Sequence, residues 1–371
     1  MKRVFGITAV RSTTEDSMIR YNRLLCAAAI VAVSAFSASA QTPGQTPGQS
    51  PVMSTKPMSN PPRTTDGRPD LQGTWNNTSV TRMERPGNVS TLVLTEEEAV
   101  RYEQGSQWVV NARNQESEKV DTNAAPPQGK GSDFAQLGYN SFWLEAGNHL
   151  ARVKGEVRTS WIVDPPNGKL PAKPGANKAF EGFGSFDTYE TRPLSERCIL
   201  FGRQAGPIML NSIYNNNMQF VQTPDTVMIL AEMVHEARII PIFKSKAEVK
   251  YRPSAIKPWF GDSVGWYEGD ALVVETRNVN PAQVQAYISP TGTLTERFSR
   301  WSEDQILYEF TVDDPAFYTQ TWKGEMSLNR SAQPIYEYAC HEGNYSFAGI
   351  LEGARVLESQ GRVPSILVDG E

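Results

Sequence analysis

The fold is decided by residues 294–313, which read LTERFSRWSEDQILYEFTVD. Apolar and polar side chains alternate on both sides of Ser302-Glu303-Asp304, a polar triplet suited to a tight turn. Successive side chains of a strand point to opposite faces, so one face of the second half collects Ile306, Tyr308, Phe310 and Val312. The stretch therefore predicts a β-hairpin with one buried face.

The same period of two extends through the second half of the chain. It recurs in residues 217–222, 227–240, 265–276 and 318–328, separated by short polar turns. These segments predict a mainly β protein, an antiparallel meander of at least six strands that closes into a barrel or a sandwich.

Helices are predicted to be few and short, and loops long. A capping box begins at Thr95, with Glu98 three residues later, and opens one helix through about Gln107. Residues 109–140 and 171–187 are polar or rich in Gly and Pro, which predicts loops. Residues 152–163 alternate again and are expected to form another strand.

The first 62 residues carry signals for export rather than for a folded core. Residues 1–40 are predicted to be a signal peptide: basic residues precede an apolar run that ends in Ala38-Ser39-Ala40, and Met18 is a possible true start. Residues 41–62 are rich in Pro, Gly and Gln and predict an extended tether. Residues 63–371 then form a single β-rich domain, and the expected location is the periplasm or the medium.

Two cysteines remain after the predicted cleavage, Cys198 and Cys340. An even number in an exported chain favours a disulfide between them. The alternative is that Cys340, next to His341, is a thiol nucleophile. Neighbouring residues on a strand point to opposite faces, which places this pair badly for proton transfer and favours the disulfide.

Composition excludes several classes of function. Lys and Arg number 36 against 41 Asp and Glu, a net charge of −5, and no basic cluster is present, so no nucleic-acid partner is expected. The chain lacks the glycine-rich motifs of nucleotide cofactors and has three widely spaced histidines, so we expect neither a cofactor nor a metal site. The apolar run in the leader is too short to span a membrane. The oligomeric state cannot be predicted from these features.

Gly73-Thr74-Trp75 lies on the first predicted strand and resembles the Gly-x-Trp signature of the lipocalins, members of the calycin group. In those proteins the Trp plugs one end of the barrel, so the resemblance implies a calycin/lipocalin-like barrel. The strings at 66–73, 214–217 and 338–345 also resemble a large uncharacterised family of exported bacterial proteins, across most of residues 63–350. That second resemblance implies no reaction and no catalytic residue.

The first polar cluster is a candidate for ligand binding. It comprises Tyr214, Asn215, Asn216, Asn217 and Gln219, where three successive amides lead into a strand. An amide can hold a carbonyl or hydroxyl group through paired hydrogen bonds, and Tyr214 is a candidate catalytic residue. The alternative is a turn, which Asn favours.

The second cluster lies on the predicted strand 227–240. If that strand is regular, Glu232 and Arg238 share a face, whereas His235 joins them only through a bulge. Two interpretations stay open: a structural ion pair, or a carboxylate with basicity tuned for proton transfer.

The third cluster adjoins the predicted disulfide. His341 and Glu342 are a candidate general acid or base with its neighbouring carboxylate, and Tyr345 is a candidate binding residue. The alternative is a His that bonds a loop carbonyl. Trp266 is a further candidate for the ligand pocket, together with Tyr267, Trp301 and Trp322, although aromatic residues in a meander also build cores.

Two functions are compatible with these residues. The first is an exported enzyme, a lyase, isomerase or hydrolase, that performs cofactor-free acid–base chemistry on a small, partly apolar molecule in the barrel. The second is a non-catalytic, lipocalin-like carrier of a small hydrophobic or aromatic molecule. Convergence of the acid–base residues on one cavity would favour the enzyme.

Overall fold

A computed structural model describes residues 56–106, 109–110, 147–176, 193–201, 206–283 and 287–361. The predicted signal peptide, most of the tether and most of the two predicted loops lie outside these residues. Residues 56–62, which belong to the predicted tether, are described, and the Met58 amide donates to the Trp301 carbonyl at 2.9 Å.

The described residues form thirteen strands. The first five are β1 (Gly73–Asn76), β2 (Val93–Leu94), β3 (Arg152–Val153), β4 (Glu156–Arg158) and β5 (Ile162–Asp164). The second half of the chain supplies β6 (Asn217–Gln222), β7 (Thr226–Ala231), β8 (Ala237–Pro241), β9 (Asp262–Glu268), β10 (Ala271–Arg277), β11 (Thr293–Ser302), β12 (Gln305–Asp313) and β13 (Trp322–Arg330). The prediction of a mainly β protein is confirmed.

Ten of these strands form one antiparallel sheet that nearly closes into a barrel. Its order is β8-β7-β6-β1-β13-β12-β11-β10-β9, and β5 pairs with β13 outside this path. Strands β9 to β13 are a continuous meander, and β11 pairs with β12 across Ser302 as the opening hairpin predicts. Strands β2, β4 and β3 form a separate small sheet.

The barrel has two places where strand pairing is sparse. Strand β1 meets β13 at only two residue pairs, Trp75 with Arg330 and Asn76 with Asn329. On the opposite side β8 and β9 form no ladder. Just beyond β8 the Phe243 amide donates to the Gly265 carbonyl at 2.8 Å.

Three helices lie within the described residues: α1 (Glu96–Gly105), α2 (Cys340–Gly343) and α3 (Tyr345–Ser359). The capping box is confirmed, since the Thr95 hydroxyl accepts from the Glu98 amide and the Glu98 carboxylate accepts from the Thr95 amide. No helix among the described residues is long and apolar enough to cross a membrane.

The interior of the barrel is filled by the side chains that alternate inward. Tyr308 stacks on Phe298 across the β11–β12 pair, with ring centroids 4.8 Å apart, and contacts Phe310 along its own strand. Phe310 in turn meets Trp322 edge-on at 5.8 Å. These rings belong to one large core cluster that also contains Phe220 from the far side of the sheet.

Trp75 lies at one end of this core, as the Gly-x-Trp resemblance implies. Its side chain is fully buried, and its indole Nε1 donates to the Leu71 carbonyl at 2.9 Å. The guanidinium groups of Arg300 and Arg330 lie 4.9 and 4.7 Å from the indole centroid. Cations over an indole face are attracted by its quadrupole, so they help to fix the ring.

A buried carboxylate on the outer face of β10 ties a long connection to the barrel. Glu275 accepts hydrogen bonds from the Tyr251 hydroxyl at 2.5 Å and from Lys246 at 3.1 Å, and it also pairs with Arg277. Burial raises the pKa of Glu275, but the two hydrogen bonds and the Arg277 charge outweigh it, so the pKa is lowered.

Three local predictions are wrong. Residues 227–240 are not one strand, because the chain turns back between Glu232 and Glu236, and Val234 and His235 have φ near +57°. Residues 152–163 are likewise divided, with a turn at Lys154 that separates β3 from β4. Cys340 lies in helix α2, so the assumption that it and His341 occupy a strand also fails.

Candidate functional site

A cleft of about 540 Å³ lies at the end of the barrel opposite Trp75, where β12 ends and β13 begins. Its walls come from the segment after β1, from helix α1, from the residues around β5 and from the segment before β6. The described residues that line it are Ser79, Val80, Thr81, Arg82, Met83, Glu84, Arg85, Pro86, Tyr102, Ser106, Trp161, Lys169, Leu170, Leu210, Asn211, Ser212, Ile213 and Tyr287. A volume of this size matches a small-molecule site.

The floor of the cleft is apolar and continuous with the barrel core. Trp161 and Leu210 are buried members of the core cluster, and Leu170 and Tyr287 pack against it. The Trp161 indole Nε1 donates to the Asn211 side-chain oxygen at 3.0 Å, which fixes the ring. The floor is thus formed by packed core side chains, with the Trp161 ring held by a hydrogen bond.

Tyr287 lies at the floor with an unusual backbone. Its φ is +58°, the left-handed region that a bulky residue rarely occupies. Its carbonyl accepts a hydrogen bond from the Tyr318 hydroxyl at 2.9 Å, which helps to hold this conformation.

Charged side chains surround the floor. Arg82 and Lys169 are exposed at the rim, whereas Arg85 is buried and donates to the carbonyls of Ser90 at 3.0 Å and Pro166 at 2.9 Å. Glu84 accepts from the Leu170 amide at 2.7 Å. The cleft therefore combines an apolar floor with a mainly cationic rim.

The structure brings Glu232 together with Asn217, which the sequence placed in different clusters. The Asn217 amide nitrogen donates to Glu232 Oε2 at 3.0 Å, and the Tyr336 backbone amide donates to Oε1 at 3.1 Å. Both side chains are buried. The contact of Tyr336 with Glu232 attaches the segment after β13 to the turn that follows β7.

Arg238 does not meet Glu232 and instead pairs with Glu296 inside the barrel. The turn after β7 places Arg238 on the inner face, where Nη1 and Nη2 donate to the two Glu296 oxygens at 3.1 and 2.6 Å. Tyr308 donates its hydroxyl to the same carboxylate at 2.8 Å. The predicted pairing of Glu232 with Arg238 on one face is wrong.

Burial and this pairing shift two pKa values. Burial lowers the pKa of Arg238, but the Glu296 carboxylate raises it by more, so the guanidinium stays charged. Burial and the Glu296 charge both raise the pKa of Tyr308 well above its usual range. The network is therefore a fixed ion pair with a neutral phenol.

The remaining residues of the first two clusters are dispersed. Asn216 is buried and bonds the backbone of Ser212 through both ends of its amide, which supports the turn interpretation at that position. Tyr214 contacts the Phe201 ring at a centroid distance of 6.4 Å, and Asn215 has a left-handed φ. Gln219 lies on the outer face of β6, and His235 lies in an exposed turn. Trp266 is on the outer face of β9, with its indole nitrogen bonded to Glu268 at 2.8 Å.

The third cluster lies at the surface, next to a confirmed disulfide. Cys198 and Cys340 are bonded, and the Asn344 amide donates to the Glu196 carbonyl. His341 and Glu342 are exposed on helix α2, and Tyr345 is 88% exposed on α3. None of these three lines the cleft as far as the described residues show.

Within the described residues, no group of three or more His, Cys, Asp or Glu side chains is placed to hold a metal ion. No protein-family model, no curated protein and no solved structure matches this chain. The function is therefore inferred from the geometry of the chain itself.

Sequence reasoning missed the residues that line the cleft. Arg82, Lys169 and Tyr287 come from three distant segments and carry no local motif. Glu296 could have been found, because it alternates in phase with Leu294 and Phe298, and a charge on an apolar face requires a partner.

Proposed function

We propose that the protein binds a small, partly aromatic molecule in the cleft at the end of its barrel and does not transform it. The observation that carries the proposal is the cleft itself, about 540 Å³ with an apolar floor formed by Trp161, Leu210 and Tyr287. Pockets that combine apolar floors with a few fixed polar groups are the usual sites for small ligands.

Binding is better supported than acid–base catalysis by the placement of the predicted catalytic residues. None of His341, Glu342, His235, Glu232, Tyr214 and Arg238 is among the described residues that line the cleft. The enzyme stays a prediction, as does the expected location in the periplasm or the medium. The disulfide is the type of crosslink that persists in such a compartment.

Isothermal titration with 2-naphthol tests the binding proposal. Tyr102, on the wall of the cleft, is changed to Ala, and Tyr336, which is exposed and is not among the described lining residues, is changed to Ala as the matched control. We expect saturable binding that Tyr102→Ala weakens about tenfold, since an aromatic contact contributes roughly 0.5–1.5 kcal/mol beyond its buried area. Equal affinities for both variants and the unaltered protein would refute the site.

Mass spectrometry of the ligand after incubation separates carriage from catalysis. Recovery of unchanged ligand agrees with the proposal. Conversion that His341→Ala or Glu232→Gln abolishes, with folding intact, would favour the enzyme instead.

A further inference from the structure

The cleft is cationic in a chain that is acidic overall. Three cationic side chains and one carboxylate are among its described lining residues, whereas the whole chain has a net charge of −5. A cleft lined by positive charge attracts anionic ligands, even when the protein as a whole is acidic.

The two rim cations have no side-chain partner among the described residues. Arg82 and Lys169 are exposed, and within the described parts of the chain neither side chain has a hydrogen-bond or ion-pair partner. Their backbones lie on adjoining segments: the Trp161 amide donates to the Arg82 carbonyl, and the Arg85 amide donates to the carbonyl of Gly168, which precedes Lys169. Both charges therefore lie at one rim, and no described carboxylate pairs with either.

Arg85 adds a buried charge to this rim. Its side chain donates to two carbonyl groups, and no carboxylate among the described residues pairs with it. Its Nε is buried without a hydrogen-bond partner. Carbonyl dipoles do not cancel a full charge, and a charge in a low-dielectric site is screened less than one in water, so Arg85 contributes positive potential to the cleft.

Glu84 compensates only part of this charge. It is the one acidic side chain among the described lining residues, and its Oε1 already accepts from the Leu170 amide at 2.7 Å. The lining therefore keeps an excess of positive charge.

We propose that the ligand carries an anionic carboxylate beside its aromatic part. The carboxylate is bound at the rim by Arg82 and Lys169, and the ring lies on the floor with Tyr287. An arginine and a carboxylate form two parallel charge-assisted hydrogen bonds, which a hydroxyl group cannot reproduce. This inference rests on the proposed function, because it specifies the ligand of the same cleft.

The test compares 2-naphthoate with 2-naphthol, which share a ring system and differ in charge. Titration calorimetry is performed with the unaltered protein and with Arg82→Gln and Lys169→Gln. Lys250→Gln is the matched control, because Lys250 is exposed in the connection after β8 and is not in the cleft lining. We expect 2-naphthoate to bind about tenfold more tightly than 2-naphthol, and each rim variant to reduce that preference severalfold.

Salt provides a second readout. Raising the ionic strength from about 0.05 to about 0.5 M should weaken the binding of 2-naphthoate and leave the affinity for 2-naphthol nearly unchanged, because salt screens charge pairs near the surface. Equal affinities for the two compounds, unaffected by the rim substitutions, would overturn the carboxylate inference and leave the binding site standing. Binding of neither compound, or binding insensitive to Tyr102→Ala, would overturn the proposed function itself.

Discussion

Substitution of Glu296 by Gln should destabilise the barrel strongly. The Glu296 and Arg238 side chains are 0% and 2% exposed, and two hydrogen bonds of 2.6 and 3.1 Å join them. Removing one partner of such a pair leaves the other charge buried without compensation, which costs about 3–5 kcal/mol. Because a folded domain is stable by only about 5–15 kcal/mol, this single substitution removes a large share.

Urea unfolding followed by tryptophan fluorescence measures the effect. Tyr308→Phe is the first control: it removes one hydrogen bond to the Glu296 carboxylate but keeps the ion pair, at an expected cost of about 1.5–3 kcal/mol. The double variant Arg238→Met/Glu296→Met is the second control. It replaces both charges by apolar side chains and should be more stable than Glu296→Gln alone.

A loss below about 1 kcal/mol for Glu296→Gln, with an unchanged urea slope, would show that the buried Arg238 charge does not need Glu296. A large loss shows that the buried Arg238 charge depends on Glu296 for its compensation.

Three further predictions concern packing, pH and the disulfide. Gly324→Ala should cost about 1–3 kcal/mol in thermal unfolding, because an added Cβ would lie 2.1 Å from Phe310 Cζ. Glu275→Gln should lower stability at neutral pH and flatten the acid limb of the stability–pH curve, because the lowered pKa of Glu275 contributes stability that is lost as pH falls below 4.5. Cys198→Ser/Cys340→Ser should remove up to about 5 kcal/mol in the chain-entropy model and make helix α3 the first segment cut in limited proteolysis.

Each of these has a control and a contradicting result. Gly105→Ala, where an added Cβ meets nothing within 4 Å, should be neutral or slightly stabilising, and a similar loss at both glycines would reject the packing argument. An unchanged acid limb in Glu275→Gln would assign the pH dependence to other carboxylates. If the protease cuts Cys198→Ser/Cys340→Ser first within the barrel strands, the disulfide does not hold α3 in place.

The sequence predicts the barrel strands well where the alternation is bounded by turn residues. Ser302-Glu303-Asp304 marks the β11–β12 turn because its residues favour turns. The turn after β7 was missed because Glu232-Met233-Val234-His235-Glu236 contains no Gly, Pro, Asn or Asp. On β7 the odd-numbered Ile229 points inward, whereas on β8 the even-numbered Arg238 does, because the two are cross-strand partners on either side of the turn.

The candidate cleft is harder to predict, for a topological reason. Its walls join residues 79–86 with 161, 169–170, 210–213 and 287, and their meeting depends on how the sheet closes. The contact of Glu232 with Asn217 and the ion pair of Arg238 with Glu296 likewise depend on strand register. Alternation shows which face a residue occupies, but it does not show which strand lies opposite.

The position of β1 between β6 and β13 also constrains the order of assembly. Strands β9 to β13 can pair as they are synthesised, since each lies next to its predecessor in the sequence. Trp75 lies on β1 but pairs with Arg330 on the last strand, so this end of the barrel can close only once β13 is available. A chain truncated before β13 would keep Arg300 but lack Arg330 over that indole, and β1 would be left with an unpaired edge, a species prone to aggregation.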